Sequence, residues 1–203
     1  MTYSAPVKDL LFNIEHLAGL EEIGRLPAFA EVSPDIAAAV LEECGKFCEQ
    51  VIAPLNAPGD HDPSTWHDGQ VSMSAGFREA YAAFVTAGWQ SVQHSTDHGG
   101  QGLPKVIGAA CSEMLNSANI SFALCPLLTD GAIEALTLAG SENMKAAYLG
   151  NLISGRWNGT MNLTEPPRRA AIWGCCAPGP SGRRTELIAS SAPRSSSPMA
   201  KTT

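Results

Sequence analysis

The sequence predicts a mainly helical fold that ends in one strand and is followed by a tail of a different kind. Three observations carry this. Apolar residues from Leu10 to Leu149 recur at i, i+3 and i+4, the helical period. Residues 156–164 instead alternate, with Trp157, Gly159, Met161 and Leu163 interleaved by Asn158, Thr160, Asn162 and Thr164, as in a half-buried strand. Charge divides just beyond that strand: residues 1–167 hold 7 Lys+Arg against 19 Asp+Glu, whereas residues 168–203 hold 6 Lys+Arg and the single acid Glu186.

Bulk composition narrows the function classes. With 203 residues, 44% hydrophobic and 16% charged, the chain has enough apolar material for a sizeable core. No N-terminal apolar run with a cleavage site stands out, and no apolar stretch is read as membrane-spanning, so a cytoplasmic protein with no membrane partner is expected. Six cysteines without a paired framework fit a reducing compartment. The acidic body argues against nucleic-acid binding. The Arg-rich tail lacks the interleaved aromatics of a nucleic-acid platform.

The first element, residues 1–32, carries Leu10, Leu11, Ile14, Leu17, Ala18 and Leu20 at helical spacing, interrupted by Gly19 and Gly24. Ser33-Pro34-Asp35 then reads as a cap with Pro at the first helical position. A stripe of Ile36, Val40, Cys44, Phe47, Cys48 and Val51 runs to Pro54. Cys44 and Cys48, four apart with no second ligand pair, are read as core rather than metal ligands. Residues 54–73 read as a loop anchored by Trp66. His61-Asp62 and His67-Asp68 within it are sequence neighbours that point apart, a solvated pattern rather than an acid–base pair. Ser74 is expected to cap a helix bearing Phe77, Tyr81, Phe84 and Val85, closed by Gly88.

After the loop Asp97-His98-Gly99-Gly100-Gln101-Gly102-Leu103-Pro104 comes a helix with Ile107, Cys111 and Met114. A further apolar helix spans about Leu124 to Ala139, and a short one is capped by Ser141. The glycine loop has neither the spacing of a dinucleotide fingerprint nor the Gly-Lys-Ser/Thr of a P-loop. No nucleophile elbow or zinc motif is present, so no catalytic residue and no metal ligand is assigned. The strand end at Thr164-Glu165-Pro166 offers a hydroxyl, free backbone groups and a carboxylate, a suitable hold for the polar edge of a heteroaromatic ring.

Taken together, the Gly-Gly-Gln-Gly-Leu-Pro loop, the apolar helix, Gly140-Ser141-Glu142, Tyr148-Leu149, Ser154-Gly155-Arg156-Trp157 and Met161-Asn162-Leu163-Thr164-Glu165-Pro166 resemble the N-terminal half of an acyl-CoA dehydrogenase. The leading helix before Ser33 and the wording Thr-Met-Asn-Leu-Thr-Glu-Pro resemble the subgroup that includes 3-methylmercaptopropionyl-CoA dehydrogenase. The resemblance implies an acyl-CoA dehydrogenase N-terminal helical domain over 33–155, preceded by an extension over 1–32. The first strand of a middle β-domain follows over 156–166, and a disordered tail over 167–203. It also implies FAD as cofactor, an acyl-CoA substrate, a homo-oligomer in the intact family, and Met161, Asn162, Leu163 and Thr164 as cofactor-binding contacts to the isoalloxazine edge.

After Pro166 the family pattern would continue Gln-Ala-Gly-Ser-Asp, but this chain reads Pro167-Arg168-Arg169-Ala170-Ala171. The genetic code offers an account. Joining the last base of each codon to the first two of the next permits residues 167–177 to be re-read as Gln-Ala-Gly-Ser-Asp-Leu-Gly-Leu-Leu-Arg. Residues 193–201 can likewise be re-read as Lys-Ile-Phe-Ile-Thr-Tyr-Gly-Glu. The expectation is an out-of-frame tail on a fragment that is inactive because the catalytic glutamate of the family lies in its C-terminal part. The competing expectation is a non-enzymatic helical module that binds acyl-CoA or a protein.

Overall fold

In a computed structural model of the chain, residues 3–161 and the backbone of 189–191 are described. Helix α1, Val7–Phe12, continues through a wider turn over Asn13–Leu17, and Gly19, at φ 71°, redirects the chain into α2, Leu20–Gly24. This arm packs into the main core through Leu10, Ile14 and Leu20. The Tyr3 hydroxyl donates to the Met114 carbonyl at 3.1 Å and the Ala5 N–H to Glu49 Oε1 at 2.8 Å, pinning the start of the arm ahead of α1.

Helix α3, Pro34–Phe47, starts as expected, with Ser33 Oγ accepting the Ile36 N–H at 3.2 Å. Its buried line is not the expected one. Ala37, Leu41, Cys44, Cys48 and Ile52 are buried, while Ile36 is exposed. The helix turns its small residues inward, where they permit close approach. At Gly45 an added Cβ would meet Val7 Cγ2 at 3.0 Å and Ala5 Cβ at 3.1 Å. Cys44 and Cys48 lie in the core as expected. The neighbouring Cys111 and Cys48 thiols, then burial, hold the Cys44 thiol far above its ordinary value, the behaviour of inert core sulfur.

Beyond α4, Asn56–His61, the region read as a loop forms a hairpin of β1, Thr65–His67, and β2, Gln70–Ser72. Asp68 at φ 47° and Gly69 at φ 77° make its tight turn, the Asp-Gly signature of a two-residue hairpin. Trp66 is not an anchor but 71% exposed, because the hairpin stands off the core. Nor does Ser74 cap the next helix. Gly76, at φ 83°, occupies the N-cap of α5, Phe77–Thr86, and Ser74 Oγ donates to the Asp62 carbonyl at 2.7 Å, closing the base of the hairpin.

Helix α6, Lys105–Ala118, and α7, Ile120–Ala139, meet at Asn119, whose Oδ1 accepts the Phe122 N–H at 3.1 Å. That cap starts α7 four residues before the expected Leu124 and carries the helix through Pro126. At 20 residues α7 is long and apolar enough to cross a membrane by length and composition, contrary to the sequence reading. Here it packs within the domain, burying Phe122, Ala132, Ile133 and Leu136. Ser141 caps α8, Glu142–Ile153, as expected, accepting the Met144 N–H at 3.3 Å.

The principal core joins α1, α3, α5, α6 and the start of α7 through residues such as Leu41, Phe84, Ile107, Met114 and Phe122. A second cluster of Ile133, Leu136, Leu149, Leu152 and Ile153 binds α7 to α8 and takes in Trp157. Strand β3, Trp157–Gly159, is shorter than the alternation over 156–164 suggests. It pairs antiparallel with β4, Ala189–Ser191, with Trp157 opposite Ser191 and Gly159 opposite Ala189. The three β4 residues belong to the segment expected to be without structure. Residues 162–188 and 192–203 lie outside the described residues.

Candidate functional site

The strand that carries the predicted ring contacts is held by polar bonds on one side and close packing on the other. The Tyr81 hydroxyl of α5 lies 2.6 Å from Asn158 Oδ1 and 2.8 Å from the Gly155 carbonyl. The Gly159 N–H donates to Thr129 Oγ1 of α7 at 3.2 Å, and that hydroxyl donates back to the Cys125 carbonyl at 3.1 Å. Gly159 has to be glycine, because a Cβ there would collide with the Ala132 Cβ. Burial, then the nearby Cys125 thiol, push the Tyr81 phenol up to about 12. The phenol is therefore a donor at any physiological pH.

Direction matters for the site. Trp157 packs beside Tyr148 and the Ile133–Leu136 cluster, whereas Gly159 sits against Leu128 and Thr129. The strand thus runs antiparallel to α7, toward its N-terminal half. That half leaves Ile120, Leu124 and Leu127 exposed, and Cys125 beside them is an exposed free thiol. Met161, the last described residue before position 162, is 59% exposed, although the alternation places it on the buried side. Of the four predicted cofactor contacts only Met161 is described; Asn162, Leu163 and Thr164 lie outside the described residues.

A second polar cluster adjoins the first. Asp130 of α7 accepts from Gln90 Nε2 at 2.7 Å, Gln93 Nε2 at 3.0 Å and His94 Nε2 at 2.8 Å. An ionised carboxylate only accepts, so His94 Nε2 carries the proton. The segment thus held forms the bed of the glycine loop: Gly100 and Gln101 donate to the Ser95 and Ser91 carbonyls at 2.9 Å, Gly102 to His94 at 2.9 Å and Leu103 to Val92 at 3.0 Å. A Cβ at Gly100 would collide with the His94 carbonyl. Gly99 and Gly102 take φ 88° and 69°, conformations that favour glycine.

Two hollows flank this cluster. A cavity of ≈ 30 Å³ beside Phe84, Gln90, Gln93 and Asp130 is the size of a water molecule or two and too small for an acyl chain. An open cleft of ≈ 620 Å³ lies between the Pro27–Val32 turn and the glycine loop, with no lining residue from α7 or β3. His67 and Asp68, 3.3 Å apart, are both fully solvated on the hairpin.

A sequence model of the family described as "Acyl-CoA dehydrogenase, N-terminal domain" matches residues 34–156. The chain belongs to the acyl-CoA dehydrogenase family. It is 53% identical over 166 residues to 3-methylmercaptopropionyl-CoA dehydrogenase of Ruegeria pomeroyi, a match covering 82% of this chain and 28% of that protein. Butyryl-CoA dehydrogenase of Syntrophomonas wolfei is 28% identical over 169 residues, covering 81% and 27% of the two chains. The broad-specificity linear acyl-CoA dehydrogenase FadE5 of Mycobacterium tuberculosis is 27% identical over 166 residues, with the same coverage of 81% and 27%. The chain thus spans little more than a quarter of the length of these relatives. Within the acyl-CoA dehydrogenase N-terminal domain, the strand-end motif and the glycine loop are visible in the sequence, but their supports are not. Thr129 and Asp130 leave one trace, two adjacent polar residues in the middle of a mostly apolar helix. Tyr81 leaves none, because a tyrosine in an apolar stripe reads as core.

Proposed function

We propose that this chain carries the N-terminal part of an FAD-dependent acyl-CoA dehydrogenase, which removes an α-proton and a β-hydride from an acyl-CoA thioester. The intact protein would act in the cytoplasm as a homo-oligomer. The observation that carries this reading is β3, braced by Tyr81 and Thr129 and running toward the N-terminal half of α7, with Met161 exposed just beyond it. FAD, when bound, takes up the hydride. Met161, Asn162, Leu163 and Thr164 would hold its ring edge, where backbone N–H groups and a hydroxyl suit a ring that gains electron density. The described part fits that role: the strand end is exposed, yet held at Gly159 with no room for a side chain. The thioester named for the relative at 53% identity, 3-methylmercaptopropionyl-CoA, is the substrate to try first.

The same reading makes this chain inactive by itself. The proton-abstracting glutamate of the family belongs to its C-terminal part, outside the matched stretch, and the residues after Pro166 are read as out of frame. The Pro166-Pro167 pair agrees with that. Proline codons are CCN, and the re-read glutamine needs C as the last base of the second, so the frame changes within a cytosine-rich run. The test is an absorbance scan of the purified chain after addition of FAD and removal of the excess. A colourless helical protein is the expected product. A retained yellow cofactor would show that the residues after Pro166 complete a flavin site and would overturn the out-of-frame reading.

A second reading is favoured by one observation. Ile120, Leu124, Leu127 and Leu138 leave α7 with an exposed apolar stripe, a surface on which a non-enzymatic helical module could bind acyl-CoA or a protein. Binding of acyl-CoA by the colourless chain would support it.

A further inference from the structure

The two motifs by which the chain resembles its family, the glycine loop and the strand-end segment, are far apart in sequence. Both rest on adjacent residues of α7. Thr129 holds β3 through the Gly159 N–H at 3.2 Å. Asp130 holds the bed of the loop through Gln93 and His94 at 3.0 and 2.8 Å. The link between them is Gln90. Its amide donates to Asp130 at 2.7 Å, and its Cβ lies 3.6 Å from where a side chain on Gly155 would begin, at the turn that launches β3.

The structure assigns Asp130 as a positioning residue that fixes the glycine loop and the launch of β3 relative to each other. It acts through Gln90, Gln93 and His94 and touches no reacting atom. Two of its three donors are almost fully buried, Gln90 at 3% and His94 at 8% exposure, so they have no water to turn to when the carboxylate is removed. Just beyond the loop, Lys105 pairs with Glu134 of α7 at 3.0 Å, but both side chains are solvated; among the described residues the backbone N–H groups of Gly100 to Leu103 run back to residues 91–95, the segment Asp130 holds. What the positioned elements contact rests on the flavoprotein reading above; their mutual positioning does not.

Hydrogen–deuterium exchange on the full chain, read by peptide, tests this in Asp130→Ala and in the near-isosteric Asp130→Asn. The expected result is exchange at least about tenfold faster in residues 95–103 and 156–160, with α3 and α6 unchanged. Equal acceleration in every peptide would mean a general stabilising role and overturn the assignment. So would unchanged loop and strand, or acceleration of the loop alone, since the assignment joins the two. If Asp130→Ala does not fold, the near-isosteric Asp130→Asn alone is read in the same way. No flavin enters the measurement, so a failed flavin reading and a failed positioning role are seen separately.

Discussion

Tyr81 joins the helices to the strand, and its chemistry predicts a pH effect. Its phenol is pushed up to about 12 in the folded chain, by burial first and the Cys125 thiol second, against about 10 in an unfolded chain. The folded state therefore keeps a proton that the unfolded state gives up. The resulting stabilisation is complete below pH 10 and is lost as pH rises from 10 toward 12. Denaturant unfolding at stepped pH should show that loss in the unsubstituted chain and a smaller one in Tyr81→Phe. Tyr81→Phe should also be less stable at neutral pH, because Asn158 Oδ1 and the Gly155 carbonyl lose their shared donor. None of this was legible from the sequence. The alternation placed Asn158 on the polar side of a strand, but a strand pattern does not show that its amide turns to the helices or which of them supplies the partner hydroxyl.

At the level of elements, local chemistry written in adjacent residues was readable, and chemistry set by tertiary contact was not. Ser33 and Ser141 cap α3 and α8 as their sequences announce, each accepting an N–H three residues on. Ser33→Ala should cost about 1 kcal/mol in a urea titration, with an unchanged dependence on denaturant. Ser74 looks the same in sequence, yet Gly76 takes the cap while Ser74 closes the hairpin. The rotation of α3 that buries Ala37 and Leu41, leaving Val40 half-buried and Ile36 exposed, was hidden for a related reason. Apolar residues lie on both sides of the helix, and the close approach of the N-terminal arm at Gly45 decides between them. The start of α7 was missed because Pro126 suits the first turn of a helix beginning near Leu124, whereas Asn119 caps the helix a turn earlier.

For the whole molecule, the helical domain closes on itself around one principal core, with the α7–α8 cluster beside it. The acyl-CoA dehydrogenase N-terminal domain therefore stands as a packed unit, with exposed apolar residues along α7 among those described. The family and its two signature motifs were legible in residues 33–166. The carboxylate that supports both was not, because Asp130 and its three donors are brought together only by the packing of the loop bed on α7. The most direct measurement is a comparison of this chain with the product of the same gene read in the shifted frame after Pro166, each purified and scanned for flavin with 3-methylmercaptopropionyl-CoA added. The account predicts a yellow protein that bleaches with the thioester from the shifted frame, and a colourless one from the present frame. Flavin retained and bleached by the present chain would contradict it, as would a folded shifted-frame protein that holds no flavin.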